Sequence, residues 1–83
     1  MPLIARSPKQ LGNIIQRTRR QRGLTQTGLA NLAGLRQEKI SKIESGQESA
    51  KLSTIFALLA ALNLEITIEP RSGKAAIGIE DIF

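Results

Sequence analysis

The chain has 83 residues, 41% apolar but only 2% aromatic (Phe56 and Phe83), so it supports one small domain with a core of Leu, Ile and Ala. With no cysteine and no histidine, it is excluded from disulfides, thiolate chemistry, imidazole acid–base work and nearly every transition-metal site. The net charge of +5 is segregated: residues 1–43 hold nine basic side chains and one acid, residues 44–83 three basic and six acidic, which suits one face to a polyanion and another to a different partner.

Residues 1–6 read as a loose arm, with too short an apolar patch and no cleavage-like region for a secretory signal. Ser7 is placed as an N-cap, Pro8 as the first helical residue and Gln10 as the side chain that reaches back in a capping box. Leu11, Ile14, Ile15 and Thr18 follow at spacings of three and four, so the helix buries one face. It should end near Gly23, with Arg17, Arg20 and Arg22 at the negative end of its dipole. Thr25 caps a second short helix over Gln26 to Ala33, and Gly34 stops it. A third begins a residue or two later and ends at Ser45-Gly46. A fourth carries Leu52, Ile55, Phe56, Leu59 and Leu62 as its apolar stripe and ends at Asn63. Residues 64–70, LEITIEP, change period to two: Leu64, Ile66 and Ile68 alternate with Glu65, Thr67 and Glu69, as in a half-buried strand. Residues 71–83 show turn residues without a sustained pattern and read as a flexible tail. No run approaches the ~18 apolar residues of a membrane span.

The second and third helices form a helix-turn-helix candidate. Leu29 and Ala33 supply apolar contacts, Ala30 is the small residue at a close crossing, and Gly34 tolerates positive φ in the turn. Leu35, Ile40 and Ile43 anchor the second helix of the unit. No paired acid and base, activated nucleophile, phosphate loop or metal cluster accompanies it, so a binding protein is expected rather than an enzyme, with no cofactor.

RGLTQTGLANLAGLRQEKISKIESG, residues 22–46, resembles the lambda-repressor-like, or XRE-type, helix-turn-helix family. The likeness covers roughly residues 9–63 and implies an all-α bundle of four to five helices, with residues 7–63 as the DNA-binding domain. Gly28 departs from the family's usual Glu and costs about 1 kcal/mol of helix propensity relative to Ala. In this docking mode the amino-terminal residues of the recognition helix meet base edges, which assigns Arg36 and Gln37, and then Glu38, to bases. Arg pairs two ways with guanine and Gln with adenine. Glu38 can accept from cytosine or pair with a neighbouring lysine. Gln26, beside exposed N–H groups at a helix start, suits a phosphate, as the matching family residue does. Thr25, Lys39, Ser41 and Lys42 are further phosphate candidates. The resemblance also implies a partly buried ion pair between Arg19 and Glu44.

Such units generally bind operators as two-fold dimers. A lone strand at Leu64, Ile66 and Ile68 needs a partner, and pairing across a dimer is favoured over an internal hairpin within residues 64–79. The order of the fourth helix, LNLEITIEP and a short tail is similar to the HipB-type antitoxins. That narrower likeness implies a cytoplasmic homodimer that represses its own operon on the nucleoid and holds a HipA-like serine/threonine kinase toxin. In that reading Ile82 and Phe83 become a candidate toxin contact. The alternatives are a stand-alone phage-type or metabolic repressor, and an adaptor that uses the same fold for protein contacts alone.

Overall fold

In the computed structural model, which describes residues 3–47 and 50–71, four helices follow one another: α1 (Pro8–Gln21), α2 (Gln26–Ala33), α3 (Gln37–Glu44) and α4 (Leu52–Ala61). The local signals work as their chemistry requires. Ser7 has extended backbone geometry and its hydroxyl accepts from the Gln10 N–H at 3.1 Å. Gln10 does reach back, but its side-chain oxygen accepts from the Arg6 N–H and not from that of Ser7. The arm is thereby tied down one residue earlier than a standard capping box would do. Thr25 accepts from the Gly28 N–H at 2.9 Å to open α2. Gly34, at φ 71°, ends α2 in the left-handed conformation, where a Cβ would be strained.

Ile15, Leu29, Ile40, Leu58 and Leu62 are fully buried, and Ala30, Ile43 and Leu59 nearly so. Each fully buried Leu or Ile contributes roughly 1.5–3 kcal/mol through removal from water. α3 packs against both α1 and α2, and α2 against α4. The turn residue Leu35 and the α2 residue Ala33 are half-buried at the edge of this core.

The α1–α3 contact is made backbone to backbone. Gly12 is buried within α1, and a Cβ added there would run into the carbonyl oxygen of Ile43 and lie 2.8 Å from that of Glu44. The absence of a side chain at position 12 therefore sets how closely the carboxyl end of α3 lies against α1. The sequence pattern passes over this glycine because nothing in the periodicity of α1 distinguishes a close crossing from an ordinary helical position.

One expectation changes, and another is not met within a single copy. α4 buries Leu58, Leu59 and Leu62, with Ile55 half-buried, while Leu52 and Phe56 are 66% and 49% exposed. Its sequence is apolar nearly all round, so spacing alone does not select the buried face. Residues 64–70 carry no strand, and no strand is present among the described residues. Asn63, at φ 57°, turns the chain out of α4. The Leu64 N–H then bonds the Leu59 carbonyl at 2.7 Å, and its side chain packs on the core. Beyond it Ile66 is 46% and Ile68 91% exposed, so within one copy the three apolar residues do not share a buried face. The hairpin alternative and the Ile82–Phe83 contact fall outside the described residues.

Gly12→Ala is expected to destabilise the fold by about 1–3 kcal/mol, the range for overpacking a close-packed site. The lost stability should appear as a lower denaturation midpoint in urea.

Candidate nucleic-acid interface

The site is organised from the inside. Arg19, late in α1, donates from Nε to Oε2 of Glu44 at 2.6 Å and from NH2 to Oε1 at 3.0 Å. Its NH1 donates to the Leu24 carbonyl at 2.8 Å. The two side chains are 8% and 2% exposed. Burial alone would lower the arginine's pKa, but the hydrogen bond to Glu44 and the charge behind it raise it above its ordinary value. The guanidinium is thus a fixed cation joining α1, the turn before α2 and the last residue of α3.

From Glu44 the contacts run outward. Gln26, the first residue of α2, donates from Nε2 to Glu44 Oε1 at 3.1 Å. Gln37, the first residue of α3, donates from Nε2 to Oε1 of Gln26. Both glutamines are half-buried. An ionised carboxylate only accepts, so the nitrogen end of Gln26 must face Glu44. Its oxygen end then faces Gln37, and Gln37 must answer with nitrogen. Sequence reasoning placed the two glutamines separately, one toward phosphate and one toward bases. Their mutual bond depends on the angle at which α2 and α3 cross, which no spacing records.

The remaining candidates lie on the outer side of α3 and beside it. Arg36 is the N-cap of α3 and not a residue of the helix; it has extended geometry, makes no side-chain cap bond and is exposed. Glu38, Lys39, Ser41 and Lys42 are exposed along the helix, and Arg36, Glu38, Lys39 and Lys42 line a shallow groove of about 400 Å³ with Gly34 and Leu35. The expected pairing of Glu38 with a neighbouring lysine is not formed; Arg19–Glu44 is the one ion pair among the described residues. Thr25 is exposed, and while its oxygen caps α2 its hydroxyl proton remains free to donate. The first turn of a helix also presents N–H groups that its own ladder does not use, and here they lie beside Gln26. Together these groups offer cations, amides and hydroxyls on one rigid edge, a set suited to phosphates and base edges. Among the described residues no three His, Cys, Asp or Glu side chains converge as a metal site would require.

Residues 15–68 match the helix-turn-helix family model. Antitoxin HipB of Escherichia coli K12 is 39% identical over 62 residues, covering 75% of this chain and 70% of that protein. Its counterpart in strain O6:H1 is also 39% identical over 62 residues, and the chain spans 66% of its length. Among solved structures, a serine-to-alanine variant of HipB in a complex with an O2 20mer superposes with a TM-score of 0.77 at 35% identity, over 83% of this chain and 96% of that one. HipB in a HipA-HipB-O2-O3 complex superposes with a TM-score of 0.74 at 36% identity, over 80% and 93%.

Arg19→Ala leaves the Glu44 carboxylate buried without its cation and is expected to cost about 3–5 kcal/mol in urea unfolding. Replacing both partners, as Arg19→Met with Glu44→Leu, is expected to recover most of that loss, because a packed apolar pair has no desolvation penalty. A single variant as stable as the parent would remove the pair from any structural role.

Proposed function

The chain belongs to the helix-turn-helix family, and we propose that it is a sequence-specific, operator-binding repressor of the HipB type that also serves as antitoxin to a HipA-like serine/threonine kinase. The observation that carries the DNA reading is the exposed polar edge at the start of α3, with Arg36 unengaged and Gln37 braced from below by Gln26. A solvated surface helix has no need of an amide fixed in this way. The antitoxin reading draws support from the identity to HipB and from the superposition on HipB in its complex with HipA and DNA.

In this mode the amino end of α3 enters the major groove. Arg36 and Gln37 read bases, Glu38 lies next in line, and Lys39, Ser41 and Lys42 approach phosphate from the flank. Thr25 and the start of α2 meet the phosphate backbone, which fixes register without reading sequence. One unit reads only a few base pairs, so two copies bind half-sites about one turn, ~34 Å, apart. Leu64, Ile66 and Ile68 supply the pairing: strands from two copies would satisfy each other's edges and cover the exposed isoleucines. Such a protein works where the DNA is, on the nucleoid in the cytoplasm.

Two measurements test this. Affinity for the promoter of its own operon should fall linearly in log–log form with salt, with a slope near −0.9 per phosphate neutralised. Arg36→Ala and Gln37→Ala should each cost about 1–3 kcal/mol against that operator while changing binding to unrelated duplex little, whereas Lys39→Ala should weaken both and reduce the salt slope by about 1. Unchanged operator affinity in both base-reading variants would overturn the groove assignment. For the dimer, Ile66→Lys with Ile68→Lys is expected to shift sedimentation toward the monomer without lowering monomer stability, since both side chains are exposed in one copy. A variant that stays dimeric would move the interface elsewhere.

A further inference from the structure

We propose that residues 79–83, Ile-Glu-Asp-Ile-Phe, dock on the helical unit of their own chain, in an apolar groove between the amino-terminal half of α1 and α4. Ala5, Pro8, Leu11, Ile43, Ala50 and Ile55 wall the groove, which encloses about 250 Å³. α1 rests on α3, and α4 on α2; the groove is the space this leaves between α1 and α4. Leu11 and Ile55 are half-buried on its walls and already pack on the core, so an apolar occupant would complete their removal from water. A cavity of roughly 150 Å³ accepts a benzene ring, and this one has room for the Phe83 ring with part of Ile82.

The rim of the groove is basic. Arg6 and Lys9 alternate along the chain with the wall residues Ala5, Ser7 and Pro8, and both are exposed. Both are also held in place. The Arg6 N–H is bound by Gln10, and the Lys9 backbone lies against Gly46, where an added Cβ would come within 2.8 Å of the Lys9 Cα. Neither cation has an acidic partner among the described residues. An apolar segment that carries acids suits such a groove, and the sequence holds one: Glu80 and Asp81 are the only adjacent acids in the chain, set between Ile79 and Ile82-Phe83.

Reach permits the contact. The eight residues from Arg71 to Ile79 span about 27 Å when extended, against molecular dimensions of 43 × 26 × 19 Å. A tether of this length keeps the segment at an effective concentration on the order of millimolar, so a small apolar contact with two charge pairs is enough to hold it. Any partner protein that takes hold of Ile82 and Phe83 must first draw them from the groove, which makes filling of the groove and capture of the segment mutually exclusive.

The test uses the full chain. It has no cysteine, so Ala76→Cys gives a single site for a nitroxide, read by the relaxation of labelled Leu and Ile methyl groups. Signals of Leu11, Ile43 and Ile55 should broaden more than those of Leu32 and Leu35. Ile82→Ser with Phe83→Ser should abolish that difference. Arg6→Glu with Lys9→Glu, which changes exposed side chains only, should weaken it, and adding Glu80→Lys with Asp81→Lys should restore it. Tagged, unlabelled chain mixed with untagged, labelled chain should leave the groove signals sharp. Broadening in that mixture would give the groove to a second copy and overturn the proposal. So would broadening that is uniform, or that survives the loss of Ile82 and Phe83.

Discussion

The constraint on which the rest depends is a charge pair in a place where charges are costly. Arg19 and Glu44 are almost completely buried, and the desolvation of such a pair offsets most of its attraction. An apolar pair of similar volume would hold α1 to α3 about as well. What an apolar pair cannot supply is direction. A carboxylate accepts and does not donate, a guanidinium does the reverse, and the Leu24 carbonyl and Gln26 amide arrange themselves accordingly. The buried pair therefore acts less as an adhesive than as a polarity reference for the groups above it.

Polarity is useful only if α3 is held at a fixed height, and that is the contribution of Gly12. Its missing side chain lets the carboxyl end of α3 rest on the α1 backbone, while Ile40 and Ile43 lock the helix from its apolar side. Glu44 sits at the same end of α3, next to the carbonyls that Gly12 meets. The close crossing and the ion pair thus restrain one end of the helix by sterics and by charge together. The opposite end, with Arg36 and Gln37, projects from this clamp. Eight residues make a short lever, on the order of 12 Å at 1.5 Å per residue, so little of that precision is lost before the tip.

Most of the helix-turn-helix unit was legible in the sequence, because it rests on residue types with few alternatives. Thr25, Gly34 and the spacing of Leu29, Ala30, Ile40 and Ile43 specify the unit, and the structure places all of them as their chemistry demands. The family likeness supplied Arg19 with Glu44, which composition and periodicity would not have joined across 25 positions. Less legible was whatever depends on how helices cross. Gly12 looks like any small residue until another backbone lies against it. The tie between Gln26 and Gln37 needs two helix starts brought side by side. In α4 the hydrophobic signal was too abundant: with Leu, Ile, Phe and Ala on almost every side, the pattern favoured Phe56 inside, and the fold chose Leu58.

That outward Phe56 bears on how the protein is completed. Leu52 and Phe56 on α4, and Ile66 and Ile68 after it, are the large exposed apolar side chains that follow α3 among the described residues. A four-helix unit of this length has little core to spare, and leaving four such groups in water forgoes stabilisation that association would recover. A two-fold partner could cover them, while the exposed cations on and beside α3, Arg36, Lys39 and Lys42, belong to the earlier, basic half of the sequence. The uncovered apolar groups of α4 and of the segment after it thus offer a place where the second copy that a two-half-site operator calls for would dock.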